Sequence, residues 1–339
     1  MPSVTVFIPT YNRAHFLPAA IDSILQQTFT DFELLIVDDG SSDETAGLLE
    51  DYRARDRRIR IESNATNLGS PKTRNRGLDL AQGNFIAMLD SDDIAAPDRL
   101  ERQVEFLTTH EDHALVGSNK TTFGSVASLG RFLRRRPTAP EAIRARLLFR
   151  CCIAHSTVMG RTDILRTFRY DETFDVSQDF DLFVRLSESH KIANIADPLV
   201  RVRRHAGQVS RKRADVKSRL RLILRRQLEA LDMTYSEDDL ERHLMLARPR
   251  SWHAPTRDDL VWSETWLQRL TMANRRTARY DKAVFEQVVG EAWFELCLKA
   301  MPGLAKAPYR WLWRSPLASS AWAGVRRRIL NQHELAAGP

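Results

Sequence analysis

Short apolar runs that each stop at a polar cluster dominate the first hundred residues. Val4-Thr5-Val6-Phe7-Ile8 is a β-rich run closed by Pro9-Thr10-Tyr11-Asn12-Arg13. Helical spacing follows, with Phe16, Leu17, Ala20, Ile21, Ile24 and Leu25 in register for one face. Phe32-Glu33-Leu34-Leu35-Ile36-Val37 then reads as a second strand, ended by Asp38-Asp39-Gly40-Ser41-Ser42-Asp43. Strand, helix and strand within about forty residues predict a βαβ unit, and near-continuous apolar character suits parallel strands covered on both faces. Residues 59–61 predict a third strand and residues 70–81 a helix. Gly83-Asn84-Phe85-Ile86-Ala87-Met88-Leu89 predicts a further buried strand, cut off by Asp90-Ser91-Asp92-Asp93. Parallel order brings residues 9–12, 38–41 and 90–93 to one edge, where open α/β sheets hold their ligands.

The chemistry expected at that edge follows from the residue types. Asp90 and Asp92 offer two hard oxygen ligands on neighbouring turns of chain, suited to Mg²⁺ or Mn²⁺ bridging to a diphosphate. No Gly-x-Gly-x-x-Gly follows the first strand and no P-loop occurs, so phosphates fall to a cation and to side chains. Asn67-Leu68-Gly69-Ser70-Pro71-Lys72-Thr73-Arg74-Asn75 opens a helix whose free N–H groups favour anions, with Arg74 and Lys72 adding positive charge. Asp38 and Asp39 can also serve an Asx-turn with Gly40, and Asp43 and Ser42 can cap the next helix.

Taken in order, Pro9-Thr10-Tyr11-Asn12, Val37-Asp38-Asp39-Gly40-Ser41-Ser42-Asp43, Asn67-Leu68-Gly69, Arg74-Asn75-x-Gly77 and Leu89-Asp90-Ser91-Asp92-Asp93 resemble the successive signatures of family-two glycosyltransferases with the GT-A fold. The resemblance runs over residues 3–210. It implies an α/β fold, an open and mostly parallel sheet flanked by helices, with a Rossmann-like nucleotide-binding half. It further implies an inverting, metal-dependent transferase that uses Mn²⁺ or Mg²⁺ and a nucleotide-diphospho-sugar, with a uridine nucleotide expected. Carried over by residue, it puts Pro9, Thr10, Tyr11, Asn12, Asp39, Asn67, Gly69, Arg74, Asp90 and Ser91 on the donor nucleotide, Asp39 reading the uracil imide. Asp92 and Asp90 are the expected metal ligands, with His205 as a third.

Asp179, in Phe174-Asp175-Val176-Ser177-Gln178-Asp179-Phe180-Asp181, occupies the family's general-base position. Gln178 departs from the commoner Glu beside it. Asp181, two residues on, and His155, in His155-Ser156-Thr157-Val158-Met159, are expected on the acceptor side. Arg201-Val202-Arg203-Arg204-His205, leading to Gln208-Val209-Ser210, resembles the family's closing strand and loop.

Composition adds context. A chain of 339 residues can bury a core and carry an appendage. Adjacent Cys151 and Cys152 with a distant Cys297 make neither a disulfide framework nor a zinc site, so a reducing compartment is expected. Met1 leads straight into a strand, and no apolar stretch approaches the roughly 18 residues of a membrane span, so cytoplasmic residence is expected, at most peripheral at the inner face of the membrane. The expected divisions are a transferase domain over 1–211, a helical extension over 212–300 and a basic tail over 301–339.

In the extension Leu220, Ile223, Leu224, Leu228 and Leu231 share a face, as do Val284, Phe285, Val288, Val289, Trp293 and Cys297; packing or homo-oligomerisation is its expected role. Ser236 with Asp239 and Thr256 with Asp259 have the spacing of capping boxes. The tail holds Lys306, Arg310, Arg314, Arg326, Arg327 and Arg328 against Glu334 alone, interleaved with Trp311, Trp313 and Trp322, within a net charge of +7. That pattern suits the surface of an anionic membrane, where lipid-linked acceptors reside. Nucleic acid is excluded as a partner, because no binding motif holds the basic residues and the cleft is acidic. Two functions are therefore weighed: a transferase building a surface glycan from a nucleotide-sugar on a glycan or lipid-linked acceptor, and a non-catalytic basic adaptor on a nucleotide-binding fold. Asp39, Asp90, Asp92 and Asp179 together favour the first, since an adaptor has no need of all four.

Overall fold

The computed structural model describes residues 1–124, 136–205, 213–247, 255–304 and 307–320. Its backbone contacts divide into two units, Met1–Ile143 with Cys151–Val216, and Arg144–Arg150 with Lys217–Pro339.

The first unit is built on β1 (Val4–Thr10), β2 (Phe32–Asp38), β3 (Ile59–Ser63), β4 (Phe85–Met88), β5 (Ile94–Ala95), β6 (His113–Gly124), β7 (Met159–Arg161) and β8 (Lys191–Arg204). They form one sheet in the order β3-β2-β1-β4-β7-β6-β8-β5. β1 to β4 pair in parallel, while β7 lies antiparallel to both β4 and β6. β6 therefore runs the same way as β4, and β8 pairs with it in parallel. Six strand ends, those of β1, β2, β3, β4, β6 and β8, thus share one edge with the chain that enters β7. This mostly parallel sheet with flanking helices is the expected fold, with antiparallel β7 and β5 worked into its far half.

β1 explains why the centre is fixed. Val4, Val6, Phe7 and Ile8 are all fully buried, so both faces are covered. One face packs with Leu17, Ala20, Ile21 and Ile24 of α1 (Leu17–Leu25) and with Leu49 of α2 (Thr45–Arg55). Each such side chain contributes about 1.5–3 kcal/mol on burial. The other face receives α3 (Ser70–Leu80) at Gly77, where a Cβ would lie 2.4 Å from the Phe7 ring. Only glycine lets this helix seat so closely. α4 (Arg99–Thr109) adds Leu100 and Leu107 to the core, α5 (Pro140–Leu147) precedes β7 in the chain, and α6 (Thr162–Phe168) and α7 (Gln178–Ser189) follow it.

The second unit is helical. Leu220, Ile223, Leu224 and Leu228 of α8 (Arg213–Ala230) are buried, as are Phe285, Val289, Trp293 and Cys297 of α11 (Lys282–Leu304). Both expected capping boxes form: Ser236 and Asp239 exchange hydrogen bonds of 3.0 and 3.1 Å before α9 (Glu237–Ala247), and Thr256 and Asp259 do so at 2.9 and 3.2 Å before α10 (Arg257–Thr277). Arg150 reaches Glu295 through two nitrogens at 2.9 and 3.0 Å, and Arg146 pairs with Glu291. α12 (Ala307–Arg314) buries Leu312 and exposes half of Trp313. Among the described residues none of the three cysteines is in a disulfide, and no helix is long and apolar enough to cross a membrane.

Candidate active site

The three polar clusters expected at the carboxyl edge meet there. Asn12, with φ of 50°, ties two of them: its N–H donates to Ser41 Oγ at 2.8 Å, and its Oδ1 accepts from the Ser42 N–H at 2.8 Å. Asp38 accepts from the Ser41 N–H at 3.1 Å, the turn role open to it from sequence. Gly40 has φ of 74°, and a Cβ there would meet the Thr66 backbone at 2.8 Å. Pro9 and Thr10 are the last pairs of β1, opposite Val37 and Asp38. The Thr10 hydroxyl is buried without a partner among the described residues, and Tyr11 stands 43% exposed beside it.

Asp39 is buried, and its carboxylate accepts from Asn64 Nδ2 at 2.7 Å, Leu68 N–H at 2.9 Å and Gly69 N–H at 3.0 Å. It therefore holds the 67–69 loop in place, while Asn67 itself remains exposed. Asn64, whose Oδ1 also accepts from Arg76, was not legible as a site residue. In α3, Asn75 donates to Tyr170 O and accepts from the Tyr170 N–H, both at 2.9 Å. One turn of motif thus does three jobs: Arg74 faces the cleft, Asn75 anchors Tyr170, and Gly77 admits the helix to the sheet.

The acidic loop lies at the end of β4. Arg74 approaches Asp90 at 3.4 Å, and His155 Nδ1 lies 3.8 Å from the same carboxylate. Desolvation pushes Asp90 upward, but the adjacent His155 ring and the charges of Arg74 and Lys120 outweigh it and hold the group below the usual range. Burial and the Arg74 charge together pull His155 down, against Asp90. Its Nε2 meets the Tyr170 hydroxyl at 2.7 Å. Ser91 is buried in the loop. Asp92 meets His205 Nε2 at 2.8 Å, so the expected partner from the end of β8 arrives. Arg203 anchors the same loop, its N–H on Asp93 Oδ1 at 2.9 Å and its Nε on Asp92 O at 3.1 Å. Burial and then the charge of Asp90 push Asp93 up to about 7.

Two supports were missed in the sequence. Arg99 is fully buried beneath the loop and donates to Met88 O at 2.7 Å and Val158 O at 3.3 Å; burial pulls it down to about 10. Ser156 Oγ accepts from the Asp90 N–H at 3.1 Å. Residues 208–210 lie outside the described residues.

Asp179 sits half-buried in the first turn of α7, accepting from the Phe180 N–H at 2.9 Å. Its charge is felt at His155 and Tyr170, both of which also feel Asp90, so it lies in their neighbourhood. Gln178 is buried and donates to Ser70 Oγ at 3.1 Å, which is the work a neutral residue does at that place. Asp181, expected on the acceptor side, is instead buried and engaged by Arg185 Nε at 2.8 Å. The other Arg185 nitrogens donate to Phe168 O and Arg169 O, making this pair a brace between α6 and α7. The i, i+4 spacing of Asp181 and Arg185 is the sequence signal that points to it.

Among the described residues no three acidic, His or Cys side chains already form a metal cage. Asp90 and Asp92 offer hard carboxylate oxygens, and His205 a borderline imidazole nitrogen, an incomplete set. That fits Mg²⁺ or Mn²⁺, which complete their shell with water and substrate phosphate oxygens.

Comparison with known proteins agrees with this geometry. Residues 5–168 match Glycosyl transferase family 2. WfgD of Escherichia coli, a UDP-Glc:alpha-D-GlcNAc-diphosphoundecaprenol beta-1,3-glucosyltransferase, is 32% identical over 193 residues, 57% of this chain and 72% of that protein. Among solved structures, S. aureus TarS 1–349 in complex with UDP-GlcNAc matches 91% of this chain and 91% of its own at a TM-score of 0.58 and 19% identity. The mannosyltransferase PcManGT of Pyrobaculum calidifontis, solved with GDP-Man and Mn²⁺, matches 96% of this chain and 87% of its own at 0.50 and 17%. Five ordered motifs, the sheet that gathers them and these matches lead to one conclusion: the chain is a glycosyltransferase and belongs to family two.

Proposed function

We propose that this chain transfers a sugar from a UDP-sugar to a glycan or lipid-linked acceptor in surface polysaccharide synthesis, with inversion at the anomeric carbon and with Mn²⁺ or Mg²⁺ bound. The observation that carries the proposal is the carboxylate arrangement: Asp90 and Asp92 at the end of β4, the latter against His205, with Asp179 near enough for its charge to be felt at His155. Asp39, with one lone-pair direction beyond its three hydrogen bonds, takes the uracil imide, and Tyr11 covers the base. Arg74 attends the diphosphate. Asp90, Asp92 and His205 would hold the ion, which when bound supplies charge neutralisation for the leaving diphosphate. Asp179 accepts the acceptor hydroxyl's proton as that oxygen bonds to the anomeric carbon and the bond to the diphosphate breaks on the opposite face.

The UDP-Glc donor and lipid-diphosphate acceptor of WfgD and the UDP-GlcNAc bound to TarS support this choice of substrates, and the Mn²⁺ bound to PcManGT supports the metal. The basic tail forms a membrane contact in the same proposal. Its Lys306, Trp322, Arg326, Arg327, Arg328 and Glu334 lie outside the described residues, while Trp313 and Arg314 are exposed on α12. The test is release of UDP from a panel of UDP-sugars with Mn²⁺ or with a chelator, the product anomer being read by NMR. Metal-independent turnover or a retained anomer refutes the mechanism. Flotation with anionic liposomes reads the tail, and a protein that ignores them has no such contact.

A further inference from the structure

A second set of cations lies on the other side of the acidic loop from Arg74. Lys120 follows a bulge in β6 and sits opposite Val200 of β8, itself paired with Ala95 just beyond the loop. The sheet order places Lys120 two strands past β4, whereas Arg74 comes from α3 over the β1–β4 half. Arg204 closes β8 between Arg203, bonded to Asp93, and His205, bonded to Asp92. Arg136 is tied beside Lys120 by its own N–H, which donates to Asn119 Oδ1 at 2.9 Å.

Lys120 is half-buried, and among the described residues its ammonium has neither a hydrogen bond nor an ion pair. A desolvated cation without a partner is costly. Burial pulls Lys120 down, the charges of Arg136 and Arg204 add to this, and Asp93 and Asp90 oppose it. The cluster also adjoins the general-base position. Cys151 feels the charges of both Asp179 and Arg136, so both lie near one thiol.

We propose that the acceptor carries a phosphate or diphosphate ester, which Lys120, Arg136 and Arg204 receive beside Asp179. The proposal rests on the donor-and-base reading above and names the acceptor's class. The donor diphosphate already has Arg74 and the Asp90–Asp92 loop on its own side. An ester on the acceptor fills the second set and holds the attacking hydroxyl at Asp179. An ester phosphate could come from a lipid-linked diphosphate or from a phosphodiester in the growing glycan, and the chemistry at Lys120 is the same.

Two probes separate these sources: geranyl diphosphate and glycerol 1-phosphate, each titrated into the full chain with UDP and Mn²⁺ saturating. At least one is expected to bind alongside UDP, and the one that binds names the source. Lys120→Met should weaken that probe by about tenfold or more, the worth of a charge-assisted hydrogen bond, while Lys120→Arg should retain it. UDP affinity should stay within about twofold in both variants, which also certifies their fold. Binding of neither probe, displacement of the probe by UDP, or an unchanged affinity in Lys120→Met overturns the proposal. Should the parent chain fail to bind UDP, the donor reading falls instead. The same probes titrated without nucleotide then still read the effect of Lys120.

Discussion

Replacing Asp179 by Asn separates chemistry from architecture. The Phe180 N–H donates to Asp179 Oδ1 at 2.9 Å, and the amide oxygen of Asn can accept the same bond, so α7 keeps its first turn. The neighbouring Gln178 and Asp181 keep their own partners, Ser70 and Arg185. The variant therefore lacks only the charge and the ability to take a proton. Loss of a positioned general base costs about 10²–10⁴ in turnover, which is about 2.7–5.4 kcal/mol of transition-state stabilisation. Donor affinity should hold, because the proposal gives the donor to Asp39, Arg74 and the Asp90–Asp92 loop. The assay pairs steady-state UDP release with calorimetric titration of UDP and Mn²⁺. Asp181→Asn serves as the contrast: it weakens the brace to Arg185 and should lower the melting temperature more than turnover. Normal turnover in Asp179→Asn, or a fall fully matched by lost UDP affinity, refutes the assignment.

Asp92→Ala should abolish Mn²⁺-assisted UDP binding with the fold intact, and undiminished binding in calorimetry removes the metal assignment. Asp39→Ala should raise the UDP dissociation constant by an amount equivalent to about 1.5–3 kcal/mol, since it removes both the base contact and the anchor of Leu68 and Gly69. Gly77→Ala should cost about 1–3 kcal/mol in urea unfolding, because its methyl would meet the Phe7 ring. Burial pulls His243 from 6.5 down to about 4, as its Nε2 faces Leu148 O and its Nδ1 accepts from Trp266, both at 2.9 Å. The unfolded chain takes this proton below 6.5 and the native state does not, so stability should fall by about 3 kcal/mol as pH drops from 6.5 to 4, a slope that His243→Gln should lessen.

Much of the fold was legible because its signals are local. Apolar runs of strand length, each closed by Asp, Asn or Gly, foretold β1, β2 and β4 and the edge they share. Both capping boxes could be read from three-residue spacings and both formed. The convergence of Asp92 and His205, 113 residues apart, came through the resemblance, since no local pattern links them.

What stayed hidden was the burial of charge. Arg99 stands in Arg99-Leu100-Glu101-Arg102, where a reader assigns every charge to a solvated helix face. Arg102 obeys, reaching Asp98 and Asp197 at the surface, whereas Arg99 is fully buried and caps carbonyls of two different segments. The two differ by three positions, which on a helix is nearly the same face, so periodicity cannot separate them. The difference lies in what packs above: the ends of β4 and of the segment entering β7 leave carbonyls there that need a donor. Lys120 presents the same problem in a strand, where alternation marks it as polar but cannot show that it has no partner among the described residues. Buried carbonyls and unpaired ammonium groups are properties of several segments at once, and they exist only when the sheet has brought those segments together.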